Sequence, residues 1–138
     1  TPPHVMTLFP YTTLFRSPTV TFEELQGMSF IVMRAIGPWS AIIQDNIPEA
    51  KFMYQDDRDA FAEITKYSRF PFFTTNLSQS DPFFNEQVKN DKDRVTVPIS
   101  DDSAKMVVYA NYLIAQKKHL APMLSEIQQQ WPKALQSK

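Results

Sequence analysis

The 138-residue chain has no cysteine, two glycines and two histidines. Without cysteine there is no disulfide framework and no thiolate metal site. Two glycines leave no room for a glycine-rich phosphate loop. Fourteen basic against fifteen acidic residues give a net charge of −1. The chain therefore lacks the basic footprint of a self-sufficient nucleic-acid binder. No apolar run exceeds a handful of residues, too short for a helix to cross a bilayer. His119 is the one histidine beyond His4, so no Ser-His or Cys-His catalytic arrangement can be drawn. What is present is apolar: 43% hydrophobic residues, with eleven phenylalanines. That argues for a packed core rather than disorder, in one domain or a piece of one.

Eleven prolines against two glycines direct attention to the N-terminus. Residues 1–17, TPPHVMTLFPYTTLFRS, hold three of those prolines and repeat Thr-Leu-Phe at 7–9 and 13–15. They show neither a helical nor a strand period, and no basic stretch precedes an apolar one as in a secretory signal. Thr7 to Ser17 resembles an in-frame translation of a common short-read sequencing adapter. Residues 1–17 are therefore read as a non-native extension, which makes the chain a fragment whose own N-terminal part is lost.

From Pro18 the pattern is α/β. Thr21 and Glu24 form a capping box on a short helical turn that Gly27 ends. Ser29 to Met33 is a continuous apolar run, expected of a strand buried on both faces. Gly37-Pro38 opens a helix whose Trp39, Ile42, Ile43 and Ile47 share a face, and Pro48 stops it. Ala50 to Tyr54 reads as a strand. Asp56 and Asp57 start a helix with Ala60, Phe61, Ile64 and Tyr67 as its buried stripe. Phe70 to Thr75 is a third strand, with Pro71 at its start or marking an edge. Strand–helix–strand–helix–strand spacing predicts parallel βαβ units. Asp81-Pro82 caps a helix through Val88, and Asn90 to Asp93 is a polar turn. Val95, Val97 and Ile99 alternate as in an edge strand, and Lys105 to Ile114 reads as another strand. Leu120, Met123, Leu124, Ile127 and Trp131 mark an amphipathic helix, with Pro132 at its end. There are no internal repeats.

Residues that carry chemistry are few. His119 reads as a solvated loop residue. Asp56, Asp57 and Asp59 lack the glycine and the distal glutamate of a calcium hand, and capping explains them. Asp101-Asp102 reads as a turn. Asn76-Leu77-Ser78 matches a glycosylation sequon of a kind that recurs by chance. The loop Arg34-Ala35-Ile36-Gly37 differs, because it joins a buried strand to a helix N-terminus with unpaired amides. In open α/β sheets, ligands sit beyond the carboxyl ends of the strands. Gln55-Asp56 and Thr74-Thr75-Asn76 would face the same crevice. The candidate ligand-contact set is thus Arg34, Ile36, Gly37, Trp39, Gln55, Asp56, Thr74, Thr75 and Asn76. No catalytic residue, metal ligand or cofactor is expected, and the chain is not read as an enzyme.

Thr21 to Ile31, TFEELQGMSFI, resembles the L-x-x-L-x-G-x-P-F-I stretch that opens the second half of the effector-binding domain of LysR-type transcriptional regulators. Arg94 to Asp101, RVTVPISD, is similar to that family's V-x-x-V-P-L-x-D strand. The strand from Val107 to Leu113 and the helix from Leu120 follow in the family's order, so the resemblance covers residues 18–135. It implies a partial type II periplasmic-binding-protein-like fold of two α/β lobes, with a small-molecule effector in the cleft. Residues 19–78 would form much of the second lobe, residues 94–135 would return to the first, and 136–138 would be a tail. The implied protein is cytoplasmic and homo-oligomeric at full length, without contact to a membrane. It would meet DNA only through a winged helix-turn-helix upstream of these residues. Where the family carries a G-x-G-I step, this chain has Lys66-Tyr67-Ser68-Arg69-Phe70-Pro71-Phe72. The rival reading is a solute-binding protein of a transport system with the same fold.

Overall fold

The computed structural model describes residues 5–10, 18–75, 78, 81–84, 86, 94–106 and 109–136. The strands are β1 (Val5–Pro10), β2 (Ser29–Met33), β3 (Lys51–Gln55), β4 (Phe72–Thr75) and β5 (Arg94–Pro98). The helices are α1 (Trp39–Asn46), α2 (Arg58–Tyr67) and α3 (Lys117–Gln136). One mixed sheet runs in the order β3-β2-β4-β1-β5. Strand β2 pairs in parallel with β3 and β4, whereas β1 is antiparallel to both β4 and β5.

The βαβ units follow from the apolar runs. Phe30 and Val32 of β2 join one core with Ile43 of α1, Ile47, Val20, Leu25, Val97 and Ile99. Ile31, between them in sequence, faces a second core with Phe61 of α2 and Phe72 of β4. Burial on both faces is why the strand reads as an unbroken apolar run rather than an alternation. Phe30 stacks on Phe73 with ring centroids 4.6 Å apart, and Phe61 meets Phe72 edge-on at 5.3 Å. Such pairs add specific geometry to the area they bury.

The expected caps form. Thr21 N–H donates to Glu24 Oε2 at 2.8 Å and Glu24 N–H returns to Thr21 Oγ1 at 3.3 Å. This reciprocal box starts the 3-10 turn Glu23–Leu25, and Gly27 leaves it at φ 74°. Gly37, at φ 57°, turns the chain into α1; both positions favour glycine because a Cβ is strained there. Asp57 Oδ2 accepts from Ala60 N–H at 3.2 Å at the start of α2.

Several elements depart from the sequence reading. Strand β3 begins at Lys51 rather than Ala50, and β4 at Phe72 rather than Phe70. Pro71 marks the strand's start, its carbonyl accepting from Ile31 N–H at 3.1 Å, and β4 is an inner strand. Tyr67 is 76% exposed, while Thr65 is buried in its stead. At about 100° per residue, Tyr67 sits a third of a turn off the Phe61–Ile64–Thr65 face. Thr65 Oγ1 reaches back to the Phe61 and Ala62 carbonyls at 2.9 and 3.0 Å, which satisfies its hydroxyl inside the core. Of the expected strand over Lys105 to Ile114, Lys105 makes an isolated bridge, residues 109–113 are irregular and Ile114–Gln116 is a 3-10 turn. Tyr109, Leu113 and Ile114 are exposed. Helix α3 begins at Lys117, so His119 is helical rather than in a loop, and it runs past Pro132 to Gln136. Residues 82–84 and 86 are helical as expected. Val88, the Asn90 to Asp93 turn, and Val107 and Val108 lie outside the described residues.

Residues 1–17 show no strand period, yet Val5–Pro10 is an inner strand of the sheet. Val5 lies opposite Thr75 and Leu8 opposite Phe72 on one side. Met6 lies opposite Pro98 and Pro10 opposite Arg94 on the other. Strand addition between two open edges uses main-chain N–H and C=O groups, so it tolerates a sequence without the side-chain alternation. Strand β5 is an outer strand, as its alternation predicts, with β3 at the other edge. It shares this sheet with β2 to β4.

The C-terminus of α2 lacks the glycine step of the resembled family. Its carbonyls are met from β5 instead. The Arg94 guanidinium donates to the carbonyls of Thr65, Ser68 and Phe70 at 2.9, 2.8 and 2.7 Å. A basic side chain suits a helix C-terminus on electrostatic grounds as well.

Candidate functional site

A half-open cavity of about 160 Å³ lies where β4 ends and the β2–α1 loop crosses toward α1. Four of its walls are residues expected from sequence: Ile36 of the loop, Trp39 of α1, and Thr74 and Thr75 of β4. Ile43, Phe73, Ser78 and Phe84 are the other described residues that line it. The pairing of β2 with β4 and the packing of α1 on the sheet bring these separate segments together. None of the described lining side chains is ionisable.

Its polar edge is small and mostly self-satisfied. Thr75 N–H donates to Ser78 Oγ at 2.7 Å, and Ser78 N–H donates to Thr75 Oγ1 at 3.0 Å. Ser78 Oγ in turn donates to the Thr75 carbonyl at 3.0 Å. This turn fixes the end of β4. Thr74 is 3% exposed, and its hydroxyl has no hydrogen-bond partner among the described residues.

The other candidates gather elsewhere. Arg34 Nε meets Asp56 Oδ1 at 2.7 Å, and its guanidinium lies 5.1 Å from the Tyr54 ring centroid. Arg34 N–H donates to the Gln55 carbonyl at 2.8 Å. These three residues therefore form a group at the ends of β2 and β3, on the side away from β4, and none lines the cavity. Gly37 shapes the loop without lining it. Asn76 lies outside the described residues. No cluster of three or more His, Asp or Glu side chains that could hold a metal occurs among the described residues.

The sequence reading missed four wall residues. Ile43 and Phe73 were legible only as core. Ser78 follows Thr75 by three residues, a spacing at which side-chain-to-backbone turns close. Phe84 reaches the cavity from the helical stretch after Asp81, and nothing in its local sequence announces that.

No protein-family profile matches the chain, and no curated protein matches it. Solved structures do match. An ancestral arginine-binding protein bound to glutamine superposes with a TM-score of 0.57 at 12% identity, over 94% of this chain and 55% of its own. The substrate-binding protein of an amino acid ABC transporter gives 0.55 at 15% identity, over 96% and 58%. An ancestral cationic amino acid solute-binding protein gives 0.54 at 11% identity, over 98% and 57%. The chain spans a little over half the length of these proteins. Among the described residues, no helix is long and apolar enough to cross a membrane. At these identities the likeness speaks for architecture alone: the chain has a partial α/β fold of the type II periplasmic-binding-protein kind.

Proposed function

We propose that this chain is the effector-sensing part of a LysR-type DNA-binding transcriptional regulator, binding a small molecule in the cleft between two lobes. One contact carries the reading. The two stretches that resemble the family, Thr21 to Ile31 and Arg94 to Asp101, close on one another: Phe22 N–H donates to Asp101 Oδ2 at 2.8 Å. The fold and the cavity at the strand ends support small-molecule binding.

In this reading the described cavity is one wall of the cleft. Effector binding there shifts a population between lobe arrangements and so repositions DNA-binding heads carried elsewhere in a cytoplasmic homo-oligomer. The described residues of the wall offer no nucleophile–base pair, and no reaction is assigned to it.

A second reading has its own support. The similar solved structures named above are solute-binding proteins, two of them described by amino acids and one by arginine. The test is the genomic reading frame upstream of Pro18. The regulator reading expects a winged helix-turn-helix there; an export signal overturns it in favour of the transport reading.

A further inference from the structure

We infer that the cavity at the end of β4 takes an uncharged, apolar group about the size of one six-membered ring, rather than a charged amino acid. This rests on the small-molecule reading above. Trp39, Phe73 and Phe84 supply aromatic walls, and Ile36 and Ile43 supply aliphatic ones. With no ionisable side chain among the described residues of the wall, a buried ammonium or carboxylate would lose its water without gaining a countercharge from them.

Arg34, on the same loop as Ile36, is already engaged. Arg34 pairs with Asp56 at 2.7 Å and covers the Tyr54 ring. Drawing it toward the cavity would break both contacts.

Size agrees with composition. The cavity holds about 160 Å³, and an apolar cavity of about 150 Å³ accommodates benzene. Polar capacity is limited too. Ser78 Oγ accepts from Thr75 N–H and from Thr75 Oγ1 and donates to the Thr75 carbonyl, so its hydrogen-bonding capacity is filled. Thr75 Oγ1 donates to Ser78 Oγ and accepts from Ser78 N–H, which leaves one acceptor site. The Thr74 hydroxyl, without a partner among the described residues, adds one donor, so a ring carrying a single hydroxyl fits the polar groups of the wall.

The test uses the whole chain carrying Trp131→Phe, so that Trp39 is the sole tryptophan. Its fluorescence is followed against cyclohexanol and phenol, and against L-arginine and L-glutamine. The expected result is a saturable change with cyclohexanol and phenol, and affinity for the two amino acids weaker by about tenfold or more. Ile36→Phe, which fills the cavity from a half-buried loop position, should weaken cyclohexanol by about tenfold or more. If that variant does not fold by circular dichroism, Phe84→Ala, which removes one wall, replaces it with the same expectation. Tighter binding of arginine or glutamine overturns the ligand class and leaves the small-molecule reading standing. Saturable cyclohexanol binding that neither variant weakens overturns the location. A chain that responds to none of the four compounds overturns both the inference and the reading beneath it.

Discussion

Phe22 N–H donates to Asp101 Oδ2 at 2.8 Å, joining backbone and side chain 79 residues apart. The contact sits in a short parallel seam. Val20 N–H donates to the Pro98 carbonyl and Ser100 N–H to the Val20 carbonyl, both at 2.9 Å. Val20, Phe22 and Ile99 on this seam are buried, so the amide of Phe22 has little access to water if Asp101 is lost.

Asp101→Ala should therefore destabilise the chain by about 2 kcal/mol, the range for a hydrogen bond to a charged group whose partner is left buried. Urea unfolding followed by circular dichroism measures it. Asp101→Asn keeps an acceptor and should lose less. Equal losses in the two variants would contradict the role assigned to the acceptor.

Thr74 makes the opposite prediction. Its hydroxyl is buried and finds no partner among the described residues. Thr74→Val keeps the shape and removes the orphaned group, so it should stabilise by about 1 kcal/mol. A loss of stability in the same unfolding experiment would mean that the hydroxyl has a partner.

Asp102 stands three residues before Lys105, with its side chain exposed. The hydrogen bond from Lys105 Nζ, at 2.7 Å, and secondarily the charge of Lys105 hold its carboxyl below the usual carboxylate range. A lowered value in the folded state favours folding at pH above the unfolded value, and the benefit fades as pH falls through the folded one. The side chain is exposed, so solvent screening keeps the effect on stability small. An NMR titration of the Asp102 carboxyl should give a lowered midpoint that Lys105→Met returns toward normal. No change in that variant would contradict the assignment.

Deleting residues 1–17 removes β1, leaving β4 without its antiparallel partner and β5 without its neighbour in the sheet. Open edges of this kind pair with other chains. Residues 18–138 alone should therefore elute as aggregates and melt without a sharp transition. A monomeric elution with a cooperative melt would contradict the structural role of β1.

The parts of the fold legible in sequence are those whose pattern and environment agree. β2 is apolar from Phe30 to Met33 because helices cover both its faces. α1 carries one stripe because it has one sheet to pack on. β1 was illegible because its place depends on two open strand edges rather than on its own side chains. Tyr67 and Thr65 exchanged roles because a hydroxyl that bonds back to its own helix can be buried as cheaply as an apolar group. Lys105 to Ile114 has strand composition, but strand formation also needs a partner alongside.

The site was half legible for a similar reason. Ile36, Trp39, Thr74 and Thr75 follow from the rule that ligands lie beyond strand ends. That rule does not distinguish one strand end from the next. Arg34 and Asp56 satisfy each other across the β2–β3 ends, and an ion pair between two expected contacts is invisible until the strands are in register.

The most direct test of the account is a chemical-shift map of the isotope-labelled chain as cyclohexanol is added. The account predicts the largest backbone changes at Ile36, Trp39, Phe73, Thr75 and Ser78, with Arg34 and Asp56 changing less. Changes centred on α3, or spread evenly over the chain, would contradict it.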